Sequence, residues 1–163
     1  MTGGYEDLIG KPAPAFTLPN HDGQPFEYRA GTSGLPTALV FYPESGSFLC
    51  TQELVTFRDS IIEKPHFNPE KTHVIAISPQ SIETQRQFVE HENFNFPVLS
   101  DAEGVAARAY DIGRGFFGLT ALARVTFVVD KKGIIRDALD TTLNFTAHQK
   151  FVDKWLHKLE DES

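Results

Sequence analysis

The period of apolar positions changes several times along the chain, and each change marks an element. In AFTLPNHDGQPFEY (15–28), two short apolar pieces flank the turn signal Asp22-Gly23, which predicts a small β-hairpin. TALVFY (37–42) is a continuous apolar run too short for a helix, as expected of a strand buried on both faces, and Pro43 ends it. From about Phe48 to Lys64 the period turns helical, with Leu54, Phe57 and Ile61 spaced by three and four. HVIAIS (73–78) predicts a second buried strand. Ser78-Pro79 or Ser81 then opens a helix to about Asn93, with Ile82, Phe88 and Val89 as its apolar side. FPVLSD (96–101) predicts a third strand and Val105–Tyr110 a brief helix. RVTFVVD (124–130), the turn Lys131-Lys132-Gly133 and IIRDALD (134–140) predict a second hairpin. An amphipathic helix from about Thr146 to Glu160 closes the chain, with Phe151, Trp155 and Leu159 at four-residue spacing.

The order is hairpin, βαβαβ, hairpin, helix. Strands alternating with helices and followed by an antiparallel pair imply an α/β fold, a mixed central sheet flanked by helices. A thioredoxin-like fold with an extra N-terminal β-hairpin fits that order. Gly3, Gly4, Gly10, Pro12 and Pro14 predict an irregular arm over residues 1–12, and AGTSGLP (30–36) predicts a loop. With no internal repeat, low-complexity segment or linker, residues 1–163 are expected to form a single domain.

Composition narrows the function classes. A net charge of −7 argues against nucleic acid or an anionic membrane as partner. No apolar stretch approaches the roughly 18 residues of a membrane helix. The N-terminus lacks a basic-then-apolar signal pattern, and the tail KLEDES carries no lipidation or retention motif. One cysteine cannot form an internal disulfide, and a free thiol suits a reducing compartment. A soluble protein of the cytoplasm, or of the nucleus, is expected. The six histidines (21, 66, 73, 91, 148 and 157) show no metal-ligand spacing, and GRGFFG (113–118) does not match a dinucleotide fingerprint. Neither a metal nor another cofactor is expected.

Cys50, the single cysteine, follows the strand 37–42 by a short loop and falls in the first turn of the next helix. Unpaired N–H groups and the helix dipole stabilise an anion there, and the thiolate is the reactive form. The carboxyl end of a central strand is also where ligand sites of open α/β sheets lie. A lone cysteine is often a small buried hydrophobe instead, so from these residues alone both readings stay open.

The wider stretch FYPESGSFLCTQELVTFRD (41–59) resembles the active-site segment of the peroxiredoxins, in particular the PrxQ or bacterioferritin-comigratory-protein branch. That family's motif is proline, three residues, threonine or serine, two residues, cysteine; here it reads Pro43, Ser47, Cys50. Phe41-Tyr42, Thr51, Glu53 and Phe57-Arg58-Asp59 also match, and Arg124 in RVTFVVDKKGII aligns with the family's distal arginine. The opening IGKPAPAFTLPNHDGQPF and the middle segment VIAISPQSIETQRQFVEHENFNFPVLSD extend the likeness over nearly the whole chain.

The resemblance implies a thiol-dependent peroxidase that reduces hydrogen peroxide and alkyl hydroperoxides through a Cys50 sulfenic acid. Arg124 would favour the thiolate and stabilise charge developing on the peroxide oxygens. The Ser47 hydroxyl would align the peroxide, Pro43 would wall the pocket, and the N–H groups of Leu49 and Cys50 would complete the donor set. Each residue also has a plainer reading: Arg124 as a surface strand residue, Ser47 as a helix cap, Pro43 as a strand terminator. Tyr42 is at least as readily a core aromatic, and Glu53 and Arg58 read as structural pairs around the first turn.

The chain departs from the branch at three places. Many members carry a resolving cysteine five residues after the first, where this chain has Val55. The sulfenate would therefore need an external thiol, namely thioredoxin, glutaredoxin or glutathione, in a one-cysteine cycle. Ser47 replaces the usual threonine, and Phe48-Leu49 replaces Pro-Gly, which makes the rim more apolar and favours organic hydroperoxides. The alternatives are a redox sensor or relay that passes oxidation to a partner protein, and a non-catalytic chaperone or interaction module. Monomer and homodimer are both open, and the phenylalanines of GRGFFG could pack under the active site or at a dimer surface.

Overall fold

A computed structural model describes residues 4–114 and 122–162. Strand β1 (Phe16–Pro19) pairs antiparallel with β2 (Pro25–Tyr28) in a separate two-stranded sheet, turning at Gly23, as the Asp22-Gly23 signal predicts. The central sheet comprises β3 (Thr37–Phe41), β4 (His73–Ser78), β5 (Val98–Ser100), β6 (Val125–Val129) and β7 (Ile135–Asp140), in the order β5-β4-β3-β6-β7. β3 runs parallel to β4 and antiparallel to β6, β4 parallel to β5, and β6 antiparallel to β7. The helices are α1 (Phe48–Glu63), α2 (Ile82–Glu92), α3 (Val105–Ala109) and α4 (Ala147–Asp161). This is the mixed, helix-flanked thioredoxin-like arrangement that the element order implies. None of the described helices is long and apolar enough to cross a membrane.

The period-two alternation of the central strands divides the core in two. Leu39, Phe41, Ile75, Ile77, Val125, Phe127 and Val129 face the side covered by the β1–β2 hairpin and α3. Tyr110 is the hub there, its ring centroid 5.4 Å from Phe41 and 5.2 Å from Phe127, with its hydroxyl donating to Pro14 O at 2.7 Å. Ala38, Val40, Val74, Ala76 and Val128 face the other side, under Leu54 and Phe57 of α1, Phe88 of α2 and Val152 and Leu156 of α4. Arg124 and Thr126 precede Val128 by four and two positions, so the same alternation sends them to this second side.

The sequence reading is corrected at one element and refined at another. The arm over residues 1–12 is not wholly irregular: Tyr5–Leu8 form a 3-10 turn, and the chain then runs along the β7 edge. Gly10 N donates to Ile135 O at 2.7 Å and Ile135 N to Lys11 O at 2.9 Å, which satisfies backbone groups an exposed edge would leave open. In α4 the buried positions are His148, Gln149, Val152 and Leu156, whereas Phe151, Trp155 and Leu159 are only half-buried and flank the line 148–152–156. Both rows recur every four residues, and polarity alone selects the aromatic one; packing selects the other. Most of GRGFFG, both phenylalanines included, lies outside the described residues.

Candidate active site

β3 ends at Phe41, and Tyr42 N still donates to Ile77 O at 3.0 Å before Pro43 breaks the ladder. The chain then turns through 44–47 into α1. Gly46 sits at φ +89°, a left-handed conformation costly for a residue with a Cβ, so the turn demands glycine there. A buried polar network ties the turn to the sheet. Ser45 Oγ donates to Gln85 Oε1 at 2.5 Å, and the Tyr42 hydroxyl lies 2.7 Å from Ser45 Oγ and 3.2 Å from Gln85 Oε1. Gln85 Nε2 donates to Ser78 Oγ at 2.7 Å and to Leu99 O at 2.9 Å. Burial pushes the Tyr42 hydroxyl well above its ordinary pKa, so it stays protonated.

Ser47 holds the N-cap position of α1 but does not cap it: its hydroxyl turns back to donate to Glu44 O at 3.1 Å. The first-turn N–H groups of α1 thus receive no side-chain cap. Along α1, Cys50, Glu53, Leu54 and Phe57 follow the i, i+3, i+4, i+7 spacing of one helix face, and all four are fully buried. Phe48, by contrast, is 72 % exposed, an apolar side chain displayed to solvent beside the cysteine's turn. Val55, where a resolving cysteine would stand, is half-buried on the core side.

A carboxylate on a buried helix face needs a partner, and Glu53 has one. Arg124 Nη1 donates to Glu53 Oε1 at 3.1 Å, and Arg124 Nε donates to Thr142 O at 3.1 Å, in the connection between β7 and α4. Arg124 is only 3 % exposed, which rules out the surface reading, and it meets α1 one turn from Cys50. Among the described residues, Arg124 Nη2 carries no hydrogen bond. On the far side of Glu53, His148 Nε2 lies 3.4 Å from Oε2. His148 is itself buried; its Nε2 is 2.8 Å from Thr141 O and its Nδ1 2.8 Å from Thr126 Oγ1.

Burial raises the Glu53 pKa to about 7, against the opposing pull of Arg124. Burial also lowers the His148 pKa to about 4, so the imidazole is neutral over the working range. The first shift sets a pH dependence. An acid held above its unfolded value of 4.5 binds more protons folded than unfolded, so its contribution to stability is present below 4.5 and is lost as pH rises through about 7. The stability of the wild type relative to Glu53→Gln should therefore fall as pH goes from 4.5 to 7, by up to about 3 kcal/mol. Urea denaturation of both proteins across that window measures it, and a difference independent of pH would contradict the buried-acid assignment.

Of the residues singled out from sequence, Pro43, Ser47, Leu49 and Cys50 lie on one continuous turn-and-helix start, and Arg124 reaches the same helix from the residue just before β6. Pro43 and Cys50 are buried, and Ser47 and Leu49 are half-buried. Tyr42 is a core aromatic. Arg58 makes the local pairs expected of it, to Asp59 Oδ1 at 3.0 Å and to Glu92 O. Glu53 does not: its partner is Arg124, 71 positions away in the chain. Sequence reasoning missed His148 and Gln85. The available signal was a polar residue inside an otherwise apolar helix face: Glu53 three after Cys50, Gln85 three before Phe88, His148 four before Val152.

The AhpC/TSA family matches residues 9–138. Alkyl hydroperoxide reductase E of Mycobacterium tuberculosis is 33 % identical over 132 residues, covering 80 % of this chain and 83 % of that protein. Chloroplastic peroxiredoxin Q of Sedum lineare is 30 % identical over 151 residues, covering 93 % of this chain and 77 % of that one. The crystal structure of peroxidoxin BcpB from Mycobacterium tuberculosis superposes with a TM-score of 0.77 at 30 % identity, covering 94 % of this chain and 97 % of the other. The shared fold, the cysteine-bearing helix start and the family match together place the chain in the AhpC/TSA family, as a peroxiredoxin of the peroxiredoxin Q and Bcp kind and so a thiol peroxidase.

Proposed function

We propose that this peroxiredoxin works by a one-cysteine cycle, reducing hydrogen peroxide and alkyl hydroperoxides at Cys50 with electrons from an external thiol. The observation that carries the reading is the single cysteine, with Val55 where an internal resolving thiol would stand. In the oxidative half, the Cys50 thiolate attacks the terminal peroxide oxygen. An S–O bond forms, the O–O bond breaks, and the alkoxide or hydroxide leaves with a proton from the medium. Arg124 Nη2 and the uncapped N–H groups of Leu49 and Cys50 are the donors to the two oxygens as charge spreads over them. The Ser47 hydroxyl, three residues before the thiol, orients the peroxide in line. Pro43 closes the wall without adding an N–H.

In the reductive half, one external thiol displaces water from the sulfenic acid to give a mixed disulfide. A second thiol then releases Cys50 and leaves as the oxidised disulfide. Thioredoxin, glutaredoxin and glutathione are the candidate donors. The exposed Phe48 gives the mouth an apolar lip, which favours an organic hydroperoxide over hydrogen peroxide.

Peroxide consumption with glutathione, glutathione plus glutaredoxin, or the thioredoxin system tests this, with intact mass recorded after each incubation. Turnover with one of these donors, and a gain of one oxygen atom when the donor is omitted, is the expected result. Stoichiometric oxidation without turnover on any of them would replace the cycle with a relay to a partner protein.

A further inference from the structure

We propose that His148 is a positioning residue for the peroxide-binding guanidinium, holding Arg124 from two sides at once. The inference rests on the role given to Arg124 above and adds a residue to which no part in the reaction has been assigned.

The geometry determines the state of the imidazole. Thr141 O can only accept, so at 2.8 Å it requires the ring proton on Nε2. Nδ1 is then the acceptor, and the Thr126 hydroxyl donates to it at 2.8 Å. Thr141 O thus selects the tautomer and the Thr126 hydroxyl adapts to it; Thr126 lies in β6, and Arg124, two positions earlier, immediately precedes that strand. With His148 0 % exposed, no water competes for either nitrogen position.

That single tautomer controls both anchors of Arg124. Along the backbone, His148 fixes the carbonyl of Thr141, and the next carbonyl, of Thr142, accepts from Arg124 Nε at 3.1 Å. Through the side chain, the Nε2–H edge faces Glu53 Oε2 at 3.4 Å, while the other carboxyl oxygen, Oε1, accepts from Arg124 Nη1 at 3.1 Å. Among the described residues Glu53 Oε2 has no hydrogen-bond partner of its own, so the imidazole edge 3.4 Å away is the polar group set against that oxygen while Arg124 holds the other. A guanidinium is planar, and fixing Nε and Nη1 fixes where Nη2 points. His148 touches neither the thiol nor the substrate; it acts through Glu53 and the 141–142 backbone.

The test compares His148→Leu, His148→Gln, Thr126→Val and Val152→Ala with the wild type, reading kcat/KM for peroxide and thermal stability. His148→Leu fills the space without a donor and should lower kcat/KM about 10- to 100-fold, the scale of a misplaced catalytic group. His148→Gln keeps an N–H at the Nε2 position and should recover most of that loss. Val152→Ala, one turn along the same buried face of α4, should lower the melting temperature and leave kcat/KM unchanged. Should the leucine variant fail to fold, Thr126→Val carries the test: it removes the donor that holds Nδ1, loosens the orientation of the ring and should cost several-fold in kcat/KM. A folded His148→Leu, or in its place Thr126→Val, with wild-type kcat/KM would overturn the proposal, as would a kcat/KM that simply tracks melting temperature across the set. These outcomes are separate from failure of the underlying reading, in which the wild type itself would show no turnover.

Discussion

Cys50→Ser is expected to abolish peroxide turnover while leaving a folded protein. Serine is nearly isosteric with cysteine, but its hydroxyl is neither appreciably ionised near neutral pH nor oxidisable to a sulfenic-type species, so the S–O bond-forming step has no counterpart. The chain offers no second thiol to substitute for it. Cys50 is 0 % exposed and packs among Tyr42, Leu54 and Phe57, so the cost to the fold is that of one small polar group in a buried place, about 1 to 3 kcal/mol. Peroxide consumption and intact mass, beside a denaturation curve, check both halves. Residual peroxide turnover in the folded variant would remove Cys50 from the mechanism.

Arg124→Met should combine the next largest loss of rate with a loss of stability, and the two can be separated. Methionine fills the space but takes away the donors to the developing oxyanion, which lowers kcat/KM by about 100- to 1,000-fold. It also leaves Glu53 buried beside no cation. Glu53 is already pushed to about 7 with Arg124 present, so without it the carboxyl takes up a proton rather than stay charged. The stability cost at neutral pH then sits at the lower end of the range for breaking a buried ion pair, about 3 kcal/mol, and grows at higher pH. Arg124→Met with Glu53→Gln removes the stranded acid and should regain most of the stability, with no recovery of rate. Urea denaturation and kcat/KM on the single and double variants measure this. Rate returning together with stability would reduce Arg124 to a structural counter-ion.

These two experiments probe parts of the site that differ in how far they could be seen in advance. Pro43, Ser47 and Cys50 lie within eight residues of one another in the chain and on one turn in space, because a strand end, a tight turn and a helix start are local events governed by neighbouring residues. Their spacing is readable without any structure, and so is the order of elements along the chain, which follows from apolar runs whose lengths fit strands or helices but not both; the order of strands within the sheet is not. Arg124 is readable only through its family resemblance, since nothing local to RVTFVVD says which face of which strand it occupies.

Glu53 and His148 are different. A glutamate one turn into a helix and a histidine at the start of another are ordinary surface residues by composition. In α1 and α4 they occupy the row that packing turns inward, and there burial shifts both toward their neutral forms. The pairs Glu53–Arg124 and His148–Thr126 join positions 71 and 22 residues apart. No periodicity encodes such separations; they exist only once β6, α1 and α4 lie against one another.

By itself, then, the sequence determined the elements, the mixed sheet, the turn that carries Cys50 and the absence of an internal resolving thiol. These rest on short-range chemistry: the period of apolar positions, the conformational demands of proline and glycine, and the count of one sulfur nucleophile. The tertiary structure decided which polar residues are buried, which tautomer His148 holds and how Arg124 is aimed. Those depend on the desolvation of charged groups, and that is a property of the assembled core rather than of any stretch of chain.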